Sequence, residues 1–500
     1  MNKKTERLLL CTVIIIFLAL RIAFITQKNL WFDEVFSWHL TLGSFHDIIV
    51  RTSLDIHPPL YYFILKIWTN IFSDSIFAMR FLSTLFSALS LLFIYPLSKR
   101  ILSPVISIMV LLFFSVNPLN IFYSQEARMS AMNLFLNSGS VYFLLTMLGK
   151  ARRWNEYFKQ RDVYLYILFR TLALYTHYFS FFIFAAEIII ILLRPGVLGR
   201  IKVCLASLSA IFLLYLPWIP TFVQHLSRGQ SWRYEQITHS GLTELLNFIK
   251  DTNLGLYYHY TELNIVYYIT IFLVFVYLYS LIISFPRPPS KSSPSEVRIG
   301  SMLTSTSLIP FLLVFVPIAI AMVITFNQKI EFYRYLSIIV PYVIIFIVYG
   351  ITKLKKTYLV IPILLILMII NIFGLSVQYS FDFKNDDYRP LIKHIESNFR
   401  AGDRIYVEPH YMGWSIDYYK KQWNLNLPNP VYIHYGWNEI LDSIKVQNPE
   451  RFWVVLDYSA VDTVKYSEYI TGLMNKLKID EKNTYYLAPA KVELYRFNKY

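Results

Sequence analysis

Apolar stretches about as long as the hydrocarbon core of a bilayer is thick recur along residues 1–380 of this chain. Such stretches constrain the fold strongly, because about 20 consecutive apolar residues span a membrane as one helix. Charged residues make up only 16% of the 500 residues, against roughly 25% in soluble domains. The mean hydropathy is +0.44. The sequence therefore predicts an α-helical polytopic membrane protein.

Hydropathy predicts about eleven transmembrane helices. They cover roughly residues 8–26, 75–96, 103–122, 129–148, 163–176, 177–193, 204–222, 263–285, 302–326, 334–351 and 357–379. With a cytoplasmic N-terminus, the basic clusters at Lys99, Arg152, Arg200, Lys291 and Lys353 all fall on the cytoplasmic side. This placement follows the positive-inside rule and accounts for the net charge of +15. We interpret the first helix as a retained signal anchor, because no A-x-A-like cleavage site follows it.

Three segments then lie outside the membrane: residues 27–74, residues 223–262 and the tail from residue 380. The apolar stretch "HPPLYYFILKIWTNIF" (57–72) is short, and it is predicted to lie as a helix at the membrane interface. The predicted domains are a transmembrane catalytic domain (1–379), which includes the first external loop, and an extracytoplasmic domain (380–500).

The tail alternates between predicted helices and strands, which indicates a small α/β domain. The predicted helices are 387–399, 414–422, 438–446 and 468–479. The predicted strands are 403–409, 431–436, 451–459, 484–488 and 491–497. A Gly-Asp turn at 402–403 is expected to lead into the first strand, and no catalytic constellation is visible in the tail.

Two adjacent acids stand in the first external loop, in "WFDEVFSW" (31–38). One interpretation makes Asp33 a helix N-cap that accepts from the N–H groups of the following turn. Trp31, Val35, Trp38 and Leu42 would then form one apolar face of a helix on the membrane. The other interpretation makes Asp33 a general base towards an acceptor hydroxyl. Neighbouring helical residues diverge by about 100°, so Glu34 would support Asp33 without aiming at the same atom.

The same loop ends in "DIHPPLYY" (55–62). His57 is either a turn histidine bonded to backbone or a donor to a phosphate oxygen. Asp55 would orient the imidazole or contribute to a metal site. Pro58 and Pro59 fix the chain locally and are well placed to begin the next helix.

Further charged residues stand at predicted outer helix ends. In "FYSQEARMS" (122–130), Glu126 and Arg128 form either a boundary salt bridge with a snorkelling arginine or a phosphate clamp. Arg334, in "EFYRYLSIIVP" (331–341), has the same two interpretations: a snorkelling residue or a second phosphate ligand.

The predicted turn between the fifth and sixth helices carries His177 and Tyr178 in "LYTHYFSFF" (174–182). Interfacial anchoring is the simplest interpretation of the tyrosines. Glu187 lies deeper in the sixth predicted helix. An acid inside a membrane is either a functional residue or a member of a buried pair.

Two sets of residues all fall on one side of the predicted membrane. One set is three acids (Asp33, Asp55, Glu126), and the other is three side chains that can donate hydrogen bonds to a phosphate (His57, Arg128, Arg334). This arrangement is suited to accepting an amphiphilic phosphate and transferring a group from it. The nucleotide-binding and zinc-protease motifs G-x-x-x-x-G-K-[ST], G-x-G-x-x-G and H-E-x-x-H are absent from the sequence. No nucleic-acid-binding signature is present either, and the two cysteines, Cys11 and Cys204, lie in predicted spans and suggest no disulfide framework.

The motifs "WFDE", "HPPLYY" and "YSQEAR" in an N-in membrane chain resemble those of the GT-C glycosyltransferases. The similarity, over roughly residues 1–350, is to the protein O-mannosyltransferase-like family and to the aminoarabinose lipid-A transferases. It implies a sugar donor on a polyprenyl monophosphate, inversion at the anomeric carbon, and a glycan, lipid or protein acceptor among the membrane lipids. It also implies that Asp33 is the base and that Arg128 and His57 bind phosphate. Ile56 stands where the aminoarabinose transferases carry an acid, and Asp55 comes one residue earlier.

Supporting substrate contacts are assigned to residues of these motifs and of the fifth-to-sixth turn: Asp55, Tyr61, Tyr123, Glu126, His177 and Tyr178. A divalent cation, Mg²⁺ or Mn²⁺, held by Asp33, Asp55 and Glu126 is left open as a cofactor. Two other functions remain as alternatives. A flippase of lipid-linked glycans would show inverted repeats and broken helices, and a non-catalytic scaffold would bind partners through the tail.

Overall fold

The computed structural model describes residues 2–149, 159–193, 197–228, 241–256, 264–284, 308–327, 335–380, 387–433, 437–457, 478–487 and 490–498. The chain forms two compact units. The first comprises Met1–Ala23, Phe45–Ile67 and Arg80–Ser380. The second comprises Phe24–Ser44, Trp68–Met79 and Phe381–Tyr500. The predicted division into a transmembrane and an extracytoplasmic domain stays a prediction.

The described part of the chain before residue 381 is helical. Its α-helices are α1 (Lys3–Ile22), α2 (Phe32–Leu42), α3 (Phe45–Leu54), α4 (Leu60–Ile71), α5 (Ile76–Lys99), α6 (Pro104–Val116), α7 (Pro118–Ser124), α8 (Ser130–Gly149), α9 (Arg161–Leu174), α10 (Ser180–Leu193), α11 (Val197–Tyr215), α12 (Ile219–Arg228), α13 (Gly241–Leu254), α14 (Ile265–Ser284), α15 (Leu308–Asn327), α16 (Val340–Thr352) and α17 (Val360–Gln378). Short 3₁₀ turns at Leu216–Trp218, Leu336–Ile339 and Thr357–Leu359 precede α12, α16 and α17.

Several of these helices are long and apolar enough to cross a membrane. Within the described residues there are five by length and composition: Ile76–Lys99, Ser130–Gly149, Ile201–Ser227, Ile265–Ile283 and Thr357–Gln378. The pair α6 and α7 adds a sixth if its two helices, bent by 61°, count as one span. The prediction of a polytopic helical membrane protein is confirmed. The count of eleven stays a prediction.

The bend between α6 and α7 is stabilised by a buried arginine. Pro118 begins α7 and has no N–H to donate back to the carbonyl of Phe114. Arg21 supplies the missing donors, at 3.3 Å to the oxygen of Phe114 and 2.9 Å to that of Ser115. Its guanidinium carbon also lies 3.4 Å from the ring centroid of Phe17. Because backbone groups inside a membrane need partners, this contact lets a predicted straight helix break.

A second buried arginine pairs with the acid that stood out inside the sixth predicted helix. Arg170 on α9 binds Glu187 on α10 through two hydrogen bonds of 2.6 and 2.9 Å, and both side chains are fully buried. Asn137 accepts from Arg170 at 2.7 Å, and Ser140 donates to Glu187 at 2.9 Å. Of the two interpretations of Glu187, the geometry favours the buried pair.

This pair makes a stability prediction. Replacing Glu187 by Leu leaves the Arg170 guanidinium buried without its carboxylate, so we expect a loss of roughly 3–5 kcal/mol in the free energy of unfolding. The double variant Arg170→Met/Glu187→Leu should recover most of that loss, because apolar replacement of a whole buried pair is nearly neutral. Thermal unfolding in detergent would measure both, and a single variant as stable as the wild type would contradict the prediction.

The C-terminal segment contains a mixed five-stranded sheet in the order β2-β1-β3-β5-β4. Its elements are α18 (Arg389–Asn398), β1 (Arg404–Glu408), a 3₁₀ turn (His410–Met412), α19 (Gly413–Trp423), β2 (Val431–Tyr432), α20 (Trp437–Gln447), β3 (Arg451–Asp457), β4 (Lys478–Leu487) and β5 (Ala490–Asn498). Strand β1 pairs in parallel with β2 and β3, and β5 runs antiparallel to β3 and β4. The parallel strands read as continuous apolar runs because they are buried.

The predicted small α/β domain is confirmed as a fold. One boundary is wrong: residues 478–479, predicted to end a helix, begin the long hairpin strand β4 that pairs with β5. The rest of that predicted helix lies outside the described residues. The predicted Gly-Asp turn is present, and Gly402 has a φ of +96°, a conformation that glycine adopts without steric cost.

Asp403, in that turn, ties two strands together. Its carboxylate accepts from Arg451 at 2.6 and 2.9 Å and from the indole of Trp453 at 3.0 Å. Burial alone would raise the pKa of Asp403. The hydrogen bonds from Arg451, from the Arg400 N–H and from Trp453 outweigh burial, so its pKa lies below its ordinary value.

Because that pKa is lowered, the stabilisation is complete above the ordinary aspartate pKa and is lost as the pH falls through the lowered value. We expect Asp403→Asn to cost roughly 3 kcal/mol at pH 7, since it leaves Arg451 without its charge partner. The gap between variant and wild type should narrow as the pH falls below about 4. Unfolding of the full chain as a function of pH checks this, and a gap that does not change with pH would contradict it.

Candidate active site

The two adjacent acids occupy the first turn of α2, in the second unit. Trp31 is the N-cap residue, with extended backbone, so Asp33 is the second helical residue. The interpretation of Asp33 as the N-cap is therefore wrong. Glu34 is only 1% exposed and accepts from the Trp31 N–H at 3.4 Å, whereas Asp33 is half-buried. Acids in a first turn are stabilised by the helix dipole, and here Glu34 has the capping contact.

Aromatic side chains of α2 pack against the C-terminal helix α19 within the same unit. The imidazole of His39 stacks on Trp414 with centroids 4.4 Å apart, and the rings of Phe32 and Phe36 lie 6.2 and 5.7 Å from it. On another side of α2, Trp38 meets Tyr418 edge to face at 5.1 Å. Of the predicted membrane-facing residues, Val35 and Trp38 are buried within the protein, whereas Leu42 is 54% exposed.

His57 and Asp55 form a direct contact in the first unit. The carboxylate of Asp55 accepts from His57 Nδ1 at 3.1 Å, so Asp55 orients the imidazole. Burial opposes ionisation of Asp55, but the hydrogen bond from His57 and the charges of His57 and Arg128 lower its pKa. His57 is 8% exposed, and helix α4 begins at Leu60, directly after the predicted double proline. Because Nδ1 of His57 is bonded to Asp55, the imidazole can donate to a further group only through Nε2.

The turn between α9 and α10 lies beside this pair. The ring of His177 is 5.5 Å from that of His57 and 5.3 Å from that of Tyr335. Burial, and then the charges of His57 and Arg128, hold the pKa of His177 well below its ordinary value. His177 is therefore neutral at physiological pH. Arg334, which directly precedes Tyr335 in sequence, lies outside the described residues.

Arg128 lies in the turn that follows α7, and this turn is tied to its neighbours. Hydroxyl groups of α5 hold its backbone, from Ser83 to the Arg128 oxygen at 3.3 Å and from Thr84 to the Ser124 oxygen at 2.9 Å. Gln125 donates to the last carbonyls of α1, at 2.7 Å to Ala23. The guanidinium donates to the hydroxyl of Tyr62 at 3.2 Å, and Arg128 is 7% exposed. The guanidinium cation is thus held in place close to Asp55 and His177, and its charge lowers the pKa of both side chains.

The remaining predicted residues of the motifs are buried. Tyr61 is 0% exposed and packs edge to face on Tyr62 at 5.7 Å. Tyr123 packs on Phe122 at 5.1 Å. The backbone oxygen of Glu126 accepts from the Arg128 N–H at 2.8 Å, within the same turn.

His225, on α12, is a residue that the sequence analysis missed. Its Nε2 donates to the Ser53 carbonyl at 2.9 Å, so in the neutral ring Nδ1 accepts from the Tyr178 hydroxyl at 2.7 Å. The Trp218 indole donates to the same hydroxyl at 3.1 Å. Burial raises the pKa of Tyr178 to about 12, the Trp218 bond opposes this, and the charge of Asp55 adds to it. The one sequence signal was a histidine just after the predicted seventh helix (204–222).

The described side chains do not form a metal site. Among the residues that the structure describes, no group of three His, Cys, Asp or Glu side chains is arranged to hold a metal ion. The divalent cation that the sequence analysis left open stays open, and no catalytic step is assigned to one.

Comparison with known proteins finds a similar fold in membrane glycosyltransferases. A family model described as dolichyl-phosphate-mannose-protein mannosyltransferase matches residues 56–220, about a third of the chain. The matched region contains His57, Arg128, His177 and Tyr178. No curated protein matches the sequence.

Two solved enzymes share the fold over most of the chain. ArnT from Cupriavidus metallidurans, bound to undecaprenyl phosphate, has a TM-score of 0.59 at 10% identity, over 99% of this chain and 98% of that one. The oligosaccharyltransferase AglB from Archaeoglobus fulgidus, bound to an inhibitory peptide and a dolichol-phosphate, has a TM-score of 0.57 at 10% identity, over 91% of this chain and 69% of that one. The predicted GT-C resemblance is confirmed as a similarity of fold.

Proposed function

We propose that this protein transfers a sugar from a polyprenyl monophosphate donor to an acceptor hydroxyl on the extracytoplasmic side of the membrane, with inversion. The observation that carries the proposal is the convergence of Asp55, His57, Arg128, His177 and Tyr178. They come from three separate connecting segments, and four of the five lie in the region that matches a mannosyltransferase family. Under this proposal, the N-terminus is cytoplasmic and the C-terminal segment is extracytoplasmic.

The donor phosphate is assigned to Arg128 and His57. A phosphodiester carries one negative charge, and the leaving polyprenyl phosphate gains a second as the bond from the anomeric carbon to its oxygen breaks. A fixed guanidinium and an oriented imidazole stabilise this developing charge more than the bound donor. Asp55 keeps the imidazole of His57 in one orientation, and Arg334 is kept as a further phosphate ligand on the basis of its motif.

The acceptor is activated by Asp33, with Glu34 holding the start of the helix. As the acceptor oxygen bonds to the anomeric carbon, its proton passes to the carboxylate of Asp33, and the electron pair of the broken bond leaves with the phosphate oxygen. Glu34 is buried and bonded to backbone, which suits a supporting role. The half-buried Asp33 is the acid of the pair that suits proton transfer.

Mass spectrometry of glycans and glycolipids tests this proposal in a deletion strain of the source organism. We expect one glycan, lipid or protein to lose a single sugar and its polyprenyl-phosphate donor to accumulate. In proteoliposomes, a flippase would move the lipid-linked sugar across the bilayer without cleaving its bond. Lipid movement without any sugar transfer would overturn the proposal in favour of transport.

A further inference from the structure

A charged residue outside the predicted motifs holds the helix that carries Asp33. Asp74 lies in the turn between α4 and α5, within the second unit. One of its carboxylate oxygens accepts from the Trp38 indole at 2.7 Å and from Lys421 Nζ at 2.6 Å. Its other carboxylate oxygen accepts from the side-chain amide of Gln422 at 3.2 Å. One carboxylate thus joins α2 to the C-terminal helix α19.

We call the contacts of Asp74 with Trp38, Lys421 and Gln422 the clamp, and the backbone of Asp74 adds to it. The carbonyl oxygen of Asp74 accepts from the Tyr418 hydroxyl at 3.2 Å, and the ring of Tyr418 packs on Trp38. The N–H of Leu30, just before α2, donates to Tyr419 at 3.1 Å. Segments 24–44, 68–79 and 413–423, which are far apart in sequence, are therefore bonded together around one acid.

The clamp lies on the opposite side of α2 from its other main contact. Asp33 lies about 140° from Trp38 around the helix axis. Phe32, Phe36 and His39 meet Trp414 on a different face of α2 from that of Trp38. Two contacts on separate faces fix the rotation of a helix as well as its position. Side-chain ends lie about 5–6 Å from the axis, so a rotation of about 10° would move the Asp33 carboxylate by about 1 Å.

We propose that Asp74 is a positioning residue that sets the orientation of the catalytic acid helix α2 through Trp38 and couples it to the C-terminal segment through Lys421. This inference rests on the proposed function, in which Asp33 is the base. It makes the C-terminal segment part of the catalytic machinery, because α19 supplies the other half of the clamp. Misplacement of a catalytic group by about 1 Å costs up to about 10²-fold in rate.

The variants Asp74→Ala, Asp74→Asn and Lys421→Met separate the contacts. Alanine removes the bonds to Trp38 and Lys421, asparagine keeps an oxygen for Trp38, and methionine removes only the charge partner. Lys420→Met is the matched control, because the neighbouring Lys420 donates to Asn429 at 2.6 Å and does not contact Asp74. The full-length variants are assayed for sugar transfer with donor lipid extracted from membranes of the deletion strain.

For Asp74→Ala we expect kcat per folded molecule to fall by about 10- to 10²-fold with the KM for donor unchanged. Asp74→Asn should restore much of that loss, and the pH profile of kcat should keep its shape because the base is still present. Lys420→Met should match the wild type. An unchanged kcat per folded molecule in Asp74→Ala, with only the yield of folded protein reduced, would overturn the positioning role.

The same assay keeps this inference separate from the proposed function. If Asp33→Asn is inactive and Asp74→Ala has full kcat, the positioning role fails while the base assignment stands. If Asp33→Asn is fully active, the base assignment itself fails, and the positioning role fails with it.

Discussion

Replacing Asp33 by Asn is expected to lower kcat for sugar transfer by about 10²- to 10⁴-fold, the usual contribution of a general base. Asparagine keeps the size and the hydrogen-bonding oxygen of the side chain but cannot take the acceptor proton. Asp33 is half-buried at the second position of α2, where the capping contact belongs to Glu34. The fold should therefore survive the exchange, and thermal unfolding should show little change.

Two controls sharpen this result. Glu396→Gln removes an exposed acid of helix α18, in the same unit, and should leave activity unchanged. Glu34→Gln keeps an oxygen for the Trp31 N–H and should lose far less activity than Asp33→Asn. An Asp33→Asn variant that transfers sugar at the wild-type rate would exclude Asp33 as the base.

Replacing Arg128 by Gln is expected to lower kcat by about 10²- to 10³-fold and also to raise the KM for donor. The first effect arises because charge grows on the departing phosphate, and preorganised donors at such a position typically contribute this much. The second arises because the bound donor is already an anion. The turn around Arg128 is held by backbone contacts from Ser83 and Thr84, which do not depend on the guanidinium.

Steady-state kinetics with donor lipid from the deletion strain measures both effects. Arg128→Lys keeps the charge but loses the planar donor pair, so it should fall between the wild type and Arg128→Gln. Arg51→Gln is the matched control, because Arg51 is an exposed arginine on α3 of the same unit. Equal losses in Arg51→Gln and Arg128→Gln would contradict a specific role in phosphate binding.

Much of the fold follows from sequence periodicity and hydropathy. The helices α5, α8 and α14 begin and end close to the predicted bounds, because inside a membrane apolar length and helix length are the same constraint. The bend between α6 and α7 was not predicted. It depends on a partner that is distant in sequence, Arg21, whose guanidinium replaces the donor that Pro118 lacks. Hydropathy reads each segment alone and carries no information on such a partner.

The candidate site was predictable only in part. The motif residues His57, Arg128 and His177 could be found because polar groups at predicted outer helix ends stand out against an apolar chain. Asp74, Tyr62 and His225 could not, since their importance lies in contacts with residues 47 to 347 positions away. The packing of α2 on α19 was missed because an aromatic face looks the same in sequence whether membrane or protein covers it.

The central claim is most directly tested by following both products of one turnover with purified protein, donor lipid from the deletion strain and its acceptor. Release of polyprenyl monophosphate should match sugar transfer one to one, and the new glycosidic bond should have the inverted anomeric configuration. Both signals should disappear together in Asp33→Asn. Polyprenyl monophosphate release without sugar transfer, or transfer with retained configuration, would contradict the proposed mechanism.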